Sequence, residues 1–179
     1  MDEDQNKKQT TRSGCLTGCL FPLVAIFVIT IGLFISFEIY KAFQDAKVRN
    51  LCAKDGGIRV YEQVVLPPEK FNQWGQVNFY EPTQGENSLG AEYLYTRKVE
   101  YYAQGAPALN PGEISVKRTF VQVNRRTDMK LLGEMVLYIR AGGDMPGPWK
   151  PTAFTCPDIQ TTNEEALFAA IFINQNMQR

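Results

Sequence analysis

Four cysteines and two glycine-flanked aspartates are the residues of this 179-residue sequence whose types and spacing could do chemistry. Cys15 and Cys19 precede the uncharged run Leu20–Phe37 (LFPLVAIFVITIGLFISF), and Cys52 and Cys156 follow it. A membrane lying between the pairs would hold them in different redox environments. Cys52 and Cys156, about a hundred residues apart, either close a disulfide or stay as two separate buried thiols acting as small apolar side chains. The disulfide is the expectation, and it would put the folded part of the chain outside the cytosol. Cys15 and Cys19 stand four apart and share a helix face. Acylation, cross-linking of two copies and unmodified thiols all remain open there, with unmodified thiols the simplest.

Gly56-Gly57 and Gly142-Gly143 adjoin Asp55 and Asp144, in the loops that lead to Cys52 and Cys156. If the disulfide drew these loops together, their oxygens could in principle take a calcium ion. Calcium wants six or more oxygens at defined spacing, and turn-forming Asp-Gly chemistry explains both segments without a ligand. The proline- and glycine-rich loop AGGDMPGPW, with Asp144 and Trp149, is a candidate lid over a small-ligand pocket. Histidine is absent, which removes the commonest acid, base and metal ligand near neutral pH. A nucleophile would therefore need a Lys or carboxylate base, and no spacing suggests such a pair. Neither glycine pair is followed by Lys-Ser or Lys-Thr, so no phosphate loop is present. Glu164 and Glu165 are adjacent on a helix and face different directions. No enzyme, cofactor or metal site is expected, and with 19 Lys plus Arg balancing 19 Asp plus Glu no basic face speaks for nucleic acid.

The element that positions everything else is the apolar run. At about 1.5 Å per helical residue it nearly matches the roughly 30 Å hydrocarbon core of a bilayer. Signal-peptide apolar regions are shorter and end in a small-x-small site, whereas here Phe37 leads into Glu38, Ile39, Tyr40 and Lys41. An uncleaved signal anchor is the reading, with the bilayer itself as a partner. Residues 1–14 are expected to be a disordered cytoplasmic tail, 15–50 the transmembrane helix with a juxtamembrane extension, and 51–179 the extracytoplasmic domain. Basic residues on the two flanks nearly balance, so orientation rests on the cysteines and the short tail. Gly18, Ala25 and Gly32 recur every seven residues, followed by Ser36, a stripe that would let two membrane helices approach. Small residues are also simply common in such helices. Pro22 is expected in the first turn, where a missing N–H costs little.

The domain reads as α+β: a small antiparallel sheet with a C-terminal helix. Ile58–Leu66 alternates like one strand, Pro68 opens a helical turn, Gln76–Tyr80 is a short strand, and 82–90 and 106–112 are loops. In the tyrosine-rich strand Glu92–Ala103, Tyr93, Tyr95, Val99 and Tyr101 share one face. The clearest unit is a hairpin of Ile114–Asn124 and Lys130–Arg140. In its second arm Gly133, Met135, Leu137 and Ile139 oppose Glu134, Val136, Tyr138 and Arg140, one face core and the other wet. Residues 141–157 are expected to be an irregular loop, and Thr161 or Thr162 to cap a helix from about Asn163.

Cys52-Ala-Lys-Asp-Gly-Gly57, Val60-Tyr61-Glu62, Leu66-Pro67, Leu132-Gly133-Glu134 and Cys156-Pro157 together resemble a group of uncharacterised single-pass membrane proteins of Gram-negative bacteria. The resemblance covers the outer domain. It implies an inner-membrane location and carries no site residues across. The functional expectation is a non-enzymatic, membrane-anchored protein whose periplasmic domain binds another envelope protein, with homodimerisation through the helix as a further option. The alternative is a periplasmic small-ligand sensing or binding module.

Overall fold

The computed structural model describes residues 13–102, 112–145, 147–148 and 150–178, with side-chain surroundings for all of these except 13–20 and 177–178. The tail expected over 1–14 falls outside the described residues as far as residue 12, as do 106–111 of the second expected loop, Trp149 and the side chains of Cys15 and Cys19. The chain divides into two compact units, Met1–Tyr40 and Lys41–Arg179.

In the first unit one helix, α1 (Ser13–Asp55), is already under way, and its described part contains a stretch long and apolar enough to cross a membrane. None of that stretch is buried inside the protein, and side chains such as Phe21 and Phe27 are open to the surroundings. Water would penalise such a surface heavily, whereas lipid would not. The polar side chains here satisfy themselves: Thr30 donates to the Phe27 carbonyl and Ser36 to that of Gly32, both at 2.8 Å. Pro22 lies well inside the helix rather than in its first turn, because the helix starts at Ser13.

The second unit takes the last turns of α1 as part of its own core. Gln44, Val48 and Cys52, four residues apart, form the buried face. Phe43 and Ala46 stay exposed. The helix ends where Gly57 takes a φ of 117°, a conformation closed to side-chain-bearing residues, and Gly56 N–H closes back onto the Cys52 carbonyl at 2.7 Å. The expected strand over 58–66 is in fact two. β1 (Gly57–Val60) and β2 (Val64–Leu66) are separated because the N–H groups of Tyr61 and Glu62 both donate to the Leu132 carbonyl, which turns the chain out of the sheet. Pro68–Lys70 forms the expected single turn. Residues 76–80 do not form a strand; a lone Phe71–Val77 bridge closes a tight hairpin there. Short helical turns occupy Pro82–Asn87.

β3 (Tyr93–Tyr101), β4 (Ile114–Arg125) and β5 (Leu131–Gly142) form the antiparallel heart of the sheet, in the order β1-β5-β4-β3. The expected hairpin is β4–β5, in register from Ile114↔Gly142 to Asn124↔Leu131, with an irregularity at Val123/Asn124. The segment read as irregular contains β6 (Ala153–Cys156), paired with β5 beyond β1. Pro151 and Pro157 lie outside the paired residues, so they do not interrupt the ladder. Helix α2 (Glu164–Ile171) is capped by Asn163, whose side-chain oxygen accepts the Ala166 N–H at 2.8 Å; neither Thr161 nor Thr162 does this. Directly after it β7 (Phe172–Asn174) runs parallel to β2, a pairing the alternation did not reveal.

Both sheet faces are covered, so the expectation of one wet face is corrected. On one side Tyr93, Tyr95, Val121, Val123 and Met135 meet Leu167, Phe168, Ile171 and Phe172. On the other, Val116, Val136 and Tyr138 meet Val48 and Cys52 of α1. Aromatic edges lock the first layer, with Tyr80–Phe168 centroids 4.7 Å apart and Tyr93–Phe172 4.9 Å. Gly133 is required by close approach: a Cβ there would lie 2.8 Å from Ile171 Cδ1 and 3.0 Å from the Arg59 carbonyl oxygen. Gly133→Ala should therefore destabilise the domain by about 1 to 3 kcal/mol in a urea melt, and an unchanged midpoint would contradict this packing.

Candidate functional site

The polar residues singled out from the sequence are engaged in holding α1 and the 141–152 segment onto the sheet. Asp144 accepts from the Thr152 backbone N–H at 2.6 Å and hydroxyl at 2.8 Å, and from Lys41 Nζ at 3.2 Å. Beside it Arg140, only 3 % exposed, donates to Asp45 at 2.7 Å and to the carbonyls of Gly142 at 2.7 Å and Thr152 at 3.2 Å. Thus the arginine assigned to a wet face is the most deeply buried charge of this cluster, and every arm of its guanidinium is used. Asp55 accepts from Tyr138 at 2.7 Å and Arg118 at 2.9 Å. Burial, reinforced by that bond to a carboxylate, pushes the Tyr138 hydroxyl up to about 12.

Asp55 and Asp144 do not converge. Asp144 bonds Lys41, and Asp55 lies fourteen positions further along the same helix, about 21 Å away at 1.5 Å per residue. The calcium arrangement considered from the sequence is therefore not assembled, and no group of three or more potential ligands occurs among the described residues. Cys52 and Cys156 do come together, with their sulfurs 2.08 Å apart. Gly32 of the small-residue stripe is exposed, with open space where a Cβ would stand, and Ala25 is half-buried.

Burial works against the charged form of Asp144, but the Thr152 and Lys41 bonds outweigh it and hold the carboxyl below its usual range. A carboxyl lowered on folding stabilises the folded state above its unfolded value, roughly 3.9, and that contribution disappears as pH falls through the folded value. Asp144→Asn should accordingly flatten the loss of stability below about pH 4 relative to the parent chain. Urea midpoints taken from pH 6 to pH 2 would show the two curves converging at the acid end; parallel curves would contradict it.

Two features on the α2 side of the domain stand apart from these structural pairs. One is a recess of about 150 Å³ with apolar walls from Leu66, Phe79, Leu89 and Tyr93 and with Lys70 at its rim. The other is the hairpin closed by Phe71 and Val77. Asn72 builds it: its side-chain oxygen accepts the N–H groups of Trp74 and Gln76, both at 3.0 Å, and its own N–H meets the Gln76 carbonyl at 2.8 Å. Gly75, at φ 79°, completes the turn. At its tip Trp74 is 75 % exposed. Against the same hairpin a recess of about 170 Å³ is lined by Gln76, Val77, Tyr80, Phe168 and Glu165. The signal for this hairpin in the sequence is the Asn-x-x-Gly spacing of Asn72 and Gly75 before Gln76.

Among the described residues, fold and site together define an α+β domain, clasped by a long-range cysteine pair, that follows one apolar helix in the chain. No protein-family model, no curated protein and no solved structure matches the chain.

Proposed function

We propose that the chain is a non-enzymatic, single-pass protein of a Gram-negative inner membrane, whose periplasmic domain docks another envelope protein. The N-terminus lies in the cytoplasm in this reading. Cys52 and Cys156 support it, since disulfides persist in oxidising compartments. The resemblance of the outer domain supplies the bacterial assignment. Trp74 is the observation that carries the docking role. A hydrogen-bonded turn holds a large apolar side chain in water, where it adds no burial to stability, and tryptophan is enriched among the anchors of protein interfaces. Asp45, Asp55 and Asp144, by contrast, are committed to structural pairs. Open space at Gly32 supports a second copy as helix partner.

A photo-cross-linking amino acid at position 74, activated in intact membranes, should give one reproducible adduct to another envelope protein. Recovery of monomer alone would defeat the reading. Labelling of Cys52 and Cys156 with a membrane-impermeant thiol reagent should occur only after reduction, and labelling without reductant would defeat the assigned compartment. The small-ligand alternative rests on the apolar recess beside Lys70 instead of the Asp144 loop, because Asp144 is already saturated.

A further inference from the structure

We infer that the surface made by Trp74 and the neighbouring recess receives a basic side chain, an arginine or lysine flanked by apolar residues in the partner's chain. This rests on the docking reading and specifies its chemistry. The two acids at the start of α2 are not equally matched. Glu164 accepts the Tyr80 hydroxyl and faces Arg97 at 3.6 Å, so its charge is answered within the domain. Glu165 is exposed and accepts from the neutral amide of Gln76 at 2.9 Å, with no cation against it among the described residues. One negative charge is thus left over on the lining of a recess that Val77, Tyr80 and Phe168 also line.

A carboxylate beside an apolar hollow suits an amphipathic cation, whose aliphatic stem covers the hollow while its head reaches the acid. The exposed indole two residues before Gln76 on the same hairpin adds a face over which a guanidinium or ammonium is attracted by the ring quadrupole. The positive end of the α2 dipole accounts for an acid in the first turn. It does not account for an indole held out in water by a turn that is hydrogen-bonded through Asn72. An anionic partner would meet Glu165 unfavourably, and a purely apolar one would desolvate that carboxylate without pairing it.

The test is selection of a displayed random heptapeptide library on the full chain in detergent micelles, followed by binding of the enriched peptides to Trp74→Ala and Glu165→Gln. Both changes lie at exposed positions, and unchanged far-UV circular dichroism confirms folding. Enriched peptides should carry Arg or Lys beside apolar residues, bind each variant at least tenfold more weakly, and lose affinity as salt is raised. Enriched peptides lacking a basic residue, or binding that survives Glu165→Gln, would overturn the proposal. If no peptide is enriched while cross-linking at position 74 still yields an adduct, the basic-partner proposal fails and the docking reading stands. If neither is seen, both fail.

Discussion

Replacing Cys52 and Cys156 together by alanine should lower the stability of the domain by about 4 to 5 kcal/mol. The cross-link joins residues 104 positions apart, so its loss frees a long stretch of the unfolded chain. In the chain-entropy view a loop of that size contributes near the top of the range for single disulfides. The bond also sits where the last turns of α1 meet the sheet, between Val48, Tyr138 and Phe154, so an unfolded helix end would expose apolar surface as well. Urea unfolding in detergent, followed by tyrosine fluorescence, measures the difference. Reductant added to the parent chain should move its midpoint toward that of the double variant. A loss below about 1 kcal/mol would mean that packing alone closes the domain.

The second large effect is expected at Arg140. Breaking a buried ion pair from one side costs about 3 to 5 kcal/mol, since the surviving charge keeps its desolvation cost without a partner. The Asp45 side chain retains 18 % exposure, which places Arg140→Met at the lower end, near 3 kcal/mol. Removing both charges, as in Asp45→Leu with Arg140→Met, should recover most of that loss. What remains reflects the carbonyls of Gly142 and Thr152, which lose their donor. A single variant no weaker than the double would show that the pair is not coupled and that the guanidinium acts only on the loop.

Local pattern carried much of this architecture. The uncharged run, the β4–β5 hairpin, the tyrosine strand and the cysteine pair are each stated by composition or period over a dozen residues or by residue type alone. What failed had non-local causes. Val136, Tyr138 and Arg140 look like a solvated face because nothing near them in sequence says that the end of the apolar helix returns to cover it. The break at Tyr61–Gln63 depends on one carbonyl, that of Leu132, supplied from seventy residues away. β7 is three residues long and follows α2 without a turn, so neither a period nor a breaker marks it. Of the candidate site, nothing in the local pattern marks Trp74, whose exposure is legible only with the Asn72 hydrogen bonds. Glu164 and Glu165 look alike in sequence, and that only Glu165 lacks a cation among the described residues shows only in three dimensions.

Cys52 and Cys156 enclose β1 to β6, and this sets how the domain would respond to a protease. A single nick anywhere between those residues leaves both fragments bonded, so the domain would stay attached to α1 and the cut would appear only on a reducing gel. A nick in the 157–163 segment is different. It severs α2 and β7, whose Phe168, Ile171 and Phe172 fill the far layer of the core with no covalent link other than the backbone itself. There a single cleavage could empty half the interior.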